Sequence, residues 1–362
     1  MLAAKEKIST RQAVVLFLLA VFSPSIRLFP TYSSKIAQTA GWLSPLFAVV
    51  PFLILPLLHQ SFFKKNSGKN LADIYYEVLG KFLGRVVLSF YLFWLCVLLG
   101  LYVRYFAERF LSTIHPDTPM SFFTIAILGV AFVVARGGLV VFTRLTEVFF
   151  LGFMALFSIT FMLALPDLKF LHLYPVTYYD ILPLMKSTYP ILGIWGYFTF
   201  MMFFADRMND KENIKRFGLQ SAVFLVITCL SILIITIGTL GYSIAGRVSL
   251  PYFIAMKNIS VLDTLERIES IVLAFWIIVD FVIITLFVLL VAAVIKSLFF
   301  LKGTKNFISP IVLAAYLLSF YIAQSRFELE DFSLLFGMNT NIVLCFIIPL
   351  IIFGIGKLRK KF

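Results

Sequence analysis

Two stretches decide the fold: Val21-Phe22-Ser23-Pro24-Ser25-Ile26-Arg27-Leu28-Phe29-Pro30 and Thr188-Tyr189-Pro190-Ile191-Leu192-Gly193-Ile194-Trp195-Gly196-Tyr197. Each places helix-breaking residues near the middle of a long apolar span, and the two spans stand five apart in chain order. Backbone left without hydrogen bonds inside lipid is tolerated only where it is buried in protein or lines a polar cavity. Matching breaks in the two halves of a chain therefore predict a small-solute site between them, at the bilayer midplane.

The rest of the sequence agrees with a membrane setting. Hydrophobic residues make up 61% and charged residues 14% of the chain, and the mean hydropathy is +0.99, well outside the soluble range. Apolar stretches long enough to cross about 30 Å of hydrocarbon recur at about 12–38 (broken), 42–62, 85–113, 120–135, 138–165, 185–206 (broken), 217–244, 264–298, 307–324 and 335–356. The expected fold class is an all-α polytopic membrane protein of ten transmembrane helices, one domain over 1–362. An odd number of spans per half implies inverted repeats, about 12–165 and 185–356.

A net charge of +13 would point to nucleic acid in a soluble protein, but its distribution excludes that reading. Roughly twenty Lys and Arg fall on one set of connections and about eight on or near the other, as the positive-inside rule requires with both termini cytoplasmic. Segment 71–84 has apolar residues at near-helical spacing with charges opposite, which predicts a helix on the inner membrane surface. A short helix from Pro251 is expected to cap the outer mouth. The aromatic load, 17%, is expected mostly on the lipid-facing surface and in interfacial belts.

Ionisable residues at membrane depth are costly and are candidates for function. Arg104 and Glu108 are four apart on one helical face, so they can pair, and Glu108 is a candidate gate or protonatable group. Glu269, Trp276 and Asp280 share a stripe by their spacing. Asp280 is the deepest carboxylate and a candidate proton or cation site, unless it forms a salt bridge to Arg27, Arg104 or Arg144. Arg144 and Glu147, just after the tight Arg136-Gly137-Gly138 connection, read as an inner gate or a packing pair. The amides of a half-helix beginning near Ile26 would attract a carboxylate. No metal or other cofactor is expected: the three histidines share no ligand spacing, and Gly68-Lys69-Asn70 lacks the pattern of a phosphate loop. Cys96, Cys229 and Cys345 sit in apolar spans as small hydrophobes. No nucleophile, base and acid converge, so no enzyme activity is expected.

Several motifs carry a resemblance that covers the whole chain. They are Gln12 with the span 1 break and Pro30, Ala40-Gly41-Trp42-Leu43, Leu79-Gly80-Lys81 to Gly84-Arg85, Ala135-Arg136-Gly137-Gly138 to Arg144 and Glu147, and Leu265-Glu266-Arg267-Ile268-Glu269-Ser270 followed by Trp276. The chain resembles the B-subunit family of endospore germinant receptors, the spore germination permeases of the amino acid–polyamine–organocation (APC) superfamily. That resemblance implies a LeuT-like 5+5 inverted repeat with broken helices 1 and 6, located in the spore inner membrane. It implies a sensor of small germinants, chiefly amino acids, working with a receptor A subunit and a lipoprotein C subunit, in contact with membrane lipid and not with nucleic acid. The superfamily pocket carries over onto Ser23, Pro24, Ser25, Leu99, Tyr102, Gly193, Trp195, Gly196, Tyr197, Trp276 and Asp280. Superfamily members carry glycine in the span 1 break where this chain has Ser23-Pro24-Ser25, which leaves fewer free amides for a carboxylate. A proton- or sodium-coupled amino acid transporter needs the same broken helices and remains the alternative.

Overall fold

The computed structural model describes residues 7–64, 66, 68–113, 117–258 and 268–361. Among them the regular structure is helical, apart from one isolated parallel bridge between Ile8 and Met208. Eight helical stretches are long and apolar enough to cross a membrane, and Lys305–Tyr321 is a shorter apolar one. The chain is thus an all-helical polytopic membrane protein.

Helix α1 spans Thr10–Ala37, opened by a capping box in which Ser9 and Gln12 satisfy each other's backbone amides. The expected interruption of span 1 is absent, because α1 runs as α-helix through both Pro24 and Pro30. Each proline lacks an amide to donate, leaving the carbonyls of Ala20 and Ile26 respectively without their helical donor, but every residue from 16 to 30 is buried. The remaining amides have no partners outside the helix, so helical geometry persists on both sides of each ring. Ser25 Oγ donates to the Val21 carbonyl at 2.6 Å.

A 3₁₀ segment, Gln38–Leu43, folds the chain back into α2 (Ser44–Phe52) and α3 (Ile54–Phe63). These three helices form one continuous apolar stretch, Thr10–Phe63, that the turn splits. Helix α4 (Leu71–Thr113) contains a single non-helical residue, Gly80, at φ 84°, a left-handed conformation that glycine adopts without penalty. The surface helix expected over 71–84 therefore ends earlier, at Gly80, and its face of Leu71, Ala72, Ile74, Tyr75 and Val78 packs into the protein. Helices α5 (Met120–Gly137) and α6 (Leu139–Ala164) meet at Gly138, φ 85°.

Helix α7 (Ile181–Trp195) tightens at Gly196 and Tyr197, continues as α8 (Phe198–Met201) and ends in a 3₁₀ segment, Met202–Arg207. This is a break, but a compact one. Gly196 keeps φ −55° and ψ −20°, its amide bonds Leu192 O at 2.8 Å, and Tyr197 N bonds Ile194 O at 3.1 Å. The unwound backbone expected in span 6 is instead hydrogen-bonded turn.

The second half continues with α9 (Ile214–Leu240), α10 (Tyr242–Ala245), α11 (Pro251–Lys257), α12 (Ile268–Leu298) and α13 (Ile308–Tyr321). Helix α11 is the short helix expected from Pro251, with Tyr252, Ala255 and Met256 buried. The last span is α14 (Arg326–Phe332), α15 (Met338–Ile342) and α16 (Ile348–Leu358), joined by two π-helical turns, Ser333–Gly337 and Val343–Ile347. Pro349 supplies a cause for the second π turn. Ile348 N reaches five residues back to Val343 O, and Pro349 has no amide to offer. The carbonyls left over are taken by hydroxyls of other helices: Tyr91 donates to Leu344 O, and Thr199 Oγ1 donates to Cys345 O at 2.8 Å.

Helix α1 is the hub, in contact with α6, α7, α9 and α12, while α4 packs along α12, α13 and α5. Phenylalanines fill this core more often than they cover it, contrary to the expectation of a mainly lipid-facing load. Phe17, Phe52 and Phe198 interlock edge to face or stacked, as do Phe22, Phe153 and Phe275. At one end of the bundle Ile8 N bonds Arg207 O at 2.9 Å and Asn209 N bonds Ile8 O at 3.0 Å. The same end gathers Lys69, Glu77 and Lys361 and the bond from Arg359 to Val78 O.

Candidate functional site

Asp280 lies midway along α12 with both carboxylate oxygens engaged. Ser23 of α1 donates to Oδ1, and Arg109 of α4 donates to Oδ2 in an ion pair. Trp276, one turn earlier on α12, donates its indole NH to Ser23 Oγ at 3.1 Å, and its ring lies under the Arg109 guanidinium, 3.9 Å from the guanidinium carbon. The i, i+4 spacing that placed Trp276 and Asp280 on one stripe puts both against Ser23. The side chains of the ion pair are 2% and 3% exposed. A charge pair this dry is held by shape and hydrogen bonding, since desolvation offsets most of its Coulombic attraction.

One turn along each helix the cluster continues. Arg27, four residues after Ser23, lays its guanidinium over the ring of Tyr105, 3.0 Å from the centroid. Tyr105, four residues before Arg109, donates from its hydroxyl to Leu329 O at 2.9 Å and shares 2.6 Å with Ser333 Oγ. Tyr102 Oη is 2.9 Å from Tyr197 Oη, Asn341 Nδ2 donates to Tyr197 Oη at 3.4 Å, and Trp94 Nε1 donates to Asn341 Oδ1 at 2.7 Å. Phe287 of α12 stacks on Tyr102 and meets Tyr197 edge on. A chain of polar groups thus crosses the bundle interior from α12 and α1 through α4 to the span 6 turn and α15.

Of the residues read from sequence, Ser23, Tyr102, Tyr197, Trp276, Asp280 and Arg27 belong to this chain. Others stand elsewhere. Pro24, Ser25 and Ile26 are buried in continuous helix, so they present no free amides. Leu99 faces the seam between α12 and α13, with Val291, Ile295 and Leu318, because α4 turns its polar stripe toward α1 instead. Trp195 packs edge on against Phe52. Gly193 and Gly196 are close-approach points for the last span: an added Cβ would lie 2.7 Å from Met338 Sδ and 2.7 Å from Cys345 Cβ respectively. They admit a neighbouring helix in place of a solute.

Arg104 and Glu108 form the expected i, i+4 pair at 2.6 Å. Arg144 and Glu147 do not pair: Glu147 accepts from Gln12 Nε2 at 2.9 Å, while Arg144 faces a basic cleft with Arg136, Arg207 and Lys305. Residues 144 and 147 leave α6 at neighbouring angles, but α1 lies on the Glu147 side. The side chain of Glu269 lies outside the described residues. Asp280 pairs with none of the three expected arginines. Its partner Arg109 is not among the candidates singled out from sequence, although Tyr102, Tyr105 and Arg109 recur at i, i+3 and i+7, the signature of one inward face. Among the described residues no group of His, Cys, Asp and Glu has the makings of a metal site.

The comparisons with known proteins cover nearly all of this architecture. The chain is 24% identical over 366 residues to the putative spore germination protein YfkT of Bacillus subtilis (strain 168), covering 99% of this chain and 98% of that one. It is 22% identical over 363 residues to spore germination protein KB of the same organism, covering 99% and 96%. With spore germination protein B2 it shares 24% over 272 residues, 73% of this chain and 70% of that one. The family model described as spore germination protein, the spore permease group, matches residues 7–327, so the chain belongs to the spore germination protein family.

Proposed function

We propose that this protein is the germinant-sensing membrane subunit of a spore germination receptor. A small solute binds within the bundle between spans 1, 3, 6 and 8, and shifts a two-state equilibrium that partner subunits read. The observation that carries this reading is the buried polar chain around Asp280, Ser23, Arg109 and Trp276. Intramembrane ionisable groups are retained at a cost and mark ligand or ion pathways. In the same reading the protein crosses the spore inner membrane ten times in a LeuT-like inverted repeat, with both termini cytoplasmic, and assembles with a receptor A subunit and a lipoprotein C subunit. The compact turn at Gly196 and Tyr197 is the element that changes shape. The names of the relatives, all spore germination proteins, support a germination role over a scaffold or an enzyme.

Spores carrying Ser23→Ala or Asp280→Asn should lose the response to the nutrient that the wild-type receptor senses, with the protein still present in the membrane. Normal germination of both variants would refute the site. The second reading, an amino acid transporter coupled to protons or sodium, is favoured by the same buried carboxylate. Concentrative uptake of labelled solute into liposomes containing only this chain would establish it in place of the sensor.

A further inference from the structure

The connection between α5 and α6 borders a cleft of about 590 Å³ lined by four cations, Arg136, Arg144, Arg207 and Lys305, and by no carboxylate among the described residues. None of the four is within ion-pair distance of an acidic side chain among those residues. The first residues of α6, Leu139, Val140 and Val141, line the same cleft. Their amides have no carbonyl to bond within the helix, and no side chain caps them. An adjoining recess shares Gly138, Leu139, Arg207 and Thr304 and adds Lys296 and one carboxylate, Asp206, so the region stays strongly positive. Cations gathered in this way repel one another, and an anion among them relieves that repulsion.

Beside the cleft, α5 and α13 pack together and leave an apolar groove of about 460 Å³ between Ile125, Leu128 and Phe132 on one wall and Val312, Leu313 and Tyr316 on the other. Cleft and groove meet end to end. The Arg136 guanidinium lies over the Phe132 ring, 5.5 Å from its centroid, and Lys305 stands four residues before Ser309, the groove residue nearest the start of α13. From Arg136 back to Ile125 the helix rises about 16 Å, which matches one leaflet of the hydrocarbon core at about 15 Å. A free anion would use the cleft alone, and an acidic peptide has no need of the groove. The pair fits an amphiphile with a negative head. It lies at the end of the bundle where Ile8 bonds Arg207, which the orientation given above makes the cytoplasmic side. Anionic headgroups concentrate on that face, and basic pockets between membrane helices bind them there.

We propose that the cleft and groove are the seat of one anionic phospholipid, whose phosphate accepts from Arg136, Arg144, Arg207 and Lys305 while an acyl chain lies between α5 and α13. The bound lipid ties the α5–α6 turn to the start of α13 and, through Arg207, to the segment that leaves span 6.

The test is native mass spectrometry with thermal-shift titration of the purified, delipidated full-length protein in a non-ionic detergent at fixed ionic strength. Probes are dioleoyl-phosphatidylglycerol, dioleoyl-phosphatidylcholine, glycerol 3-phosphate, inorganic phosphate and a decaglutamate peptide. The wild type is expected to bind one phosphatidylglycerol about tenfold or more tightly than phosphatidylcholine. Combining Arg136→Gln with Arg144→Gln should cut that preference to about threefold or less, whereas Lys186→Gln, at the far end of span 6 from Arg207, should leave it unchanged. Both arginines are exposed and unpaired, so the lipid-free melting temperature of the double variant should stay within about 1 °C of wild type. If it falls further, Lys305→Gln takes the place of the double variant and is expected to weaken phosphatidylglycerol about fivefold. Equal affinity for the two lipids overturns the proposal, as does a preference that the cleft variants leave intact or that Lys186→Gln reduces as much. Glycerol 3-phosphate or inorganic phosphate binding as tightly as phosphatidylglycerol would make the cleft a site for free anions. Decaglutamate displacing the lipid at lower concentration would make it a seat for an acidic partner segment. Either result overturns the lipid assignment.

Discussion

Replacing Asp280 by Asn keeps the shape of the side chain and its acceptor toward Ser23, but turns an NH₂ or an uncharged oxygen toward Arg109. The guanidinium, 2% exposed in its side chain, then has no counter-charge and no route to water. Breaking a buried pair from one side costs about 3–5 kcal/mol, and this pair lies at the dry end of that range. At about 2 °C per kcal/mol for a large chain, the melting temperature in detergent should fall by about 6–10 °C. Arg109→Gln should fall by a similar amount, because it leaves the carboxylate alone. The combined variant, Asp280→Asn with Arg109→Gln, has two neutral amides in hydrogen-bonding contact and no stranded charge. It should therefore cost no more than either single change, about 3–5 kcal/mol where additivity would give about 6–10, so the coupling energy in the double-mutant cycle is about 3–5 kcal/mol. Unfolding is followed by intrinsic fluorescence and by loss of the monodisperse elution peak. Losses that simply add, within about 0.5 kcal/mol, would refute the claim that the two residues act as a buried pair.

Three other outcomes follow from the packing. Thr199→Val should cost about 1 kcal/mol, and that cost should shrink in a Pro349→Ala background, where residue 349 regains an amide for the Cys345 carbonyl; an unchanged cost, measured by the same melts, would count against Pro349 as the origin of the π turn. Gly196→Val should lose about 1–3 kcal/mol by overpacking against Cys345 and Phe346, whereas Gly129→Ala, with nothing within 4 Å of the added atom, should be neutral or stabilising by up to about 1 kcal/mol. Glu147→Ala should cost about 1 kcal/mol through its bond with Gln12, and Arg144→Ala should stay within about 0.5 kcal/mol; equal effects would restore the pairing of Arg144 with Glu147.

The membrane class and the placement of most helices were legible because hydropathy at this strength has few other meanings. Trp276 and Asp280 were legible because a helix converts i, i+4 spacing directly into a shared face. Arg109 was not, since its position near the end of an apolar run concealed a side chain that reaches back into the bundle. The state of span 1 was misread for a different reason. Proline deletes one donor, but whether a helix then unwinds depends on what surrounds it, and the neighbours of residues 16–30 are set by tertiary packing. The two glycines of span 6 were read as cavity wall because small residues serve solutes and helices alike, and only Met338 and Cys345, far along the chain, decide which.

The parallel bridge at the start of the chain has a kinematic consequence. Ile8 is stitched on both sides to the segment that leaves span 6, through Arg207 O and Asn209 N, and Thr10 Oγ1 adds a bond to Asp210 O at 2.8 Å. Spans 1 and 6 are therefore clasped at one end like the legs of tweezers. Any relative swing between them pivots at that clasp and is widest at the opposite face, so the structure biases which mouth of the bundle can part first.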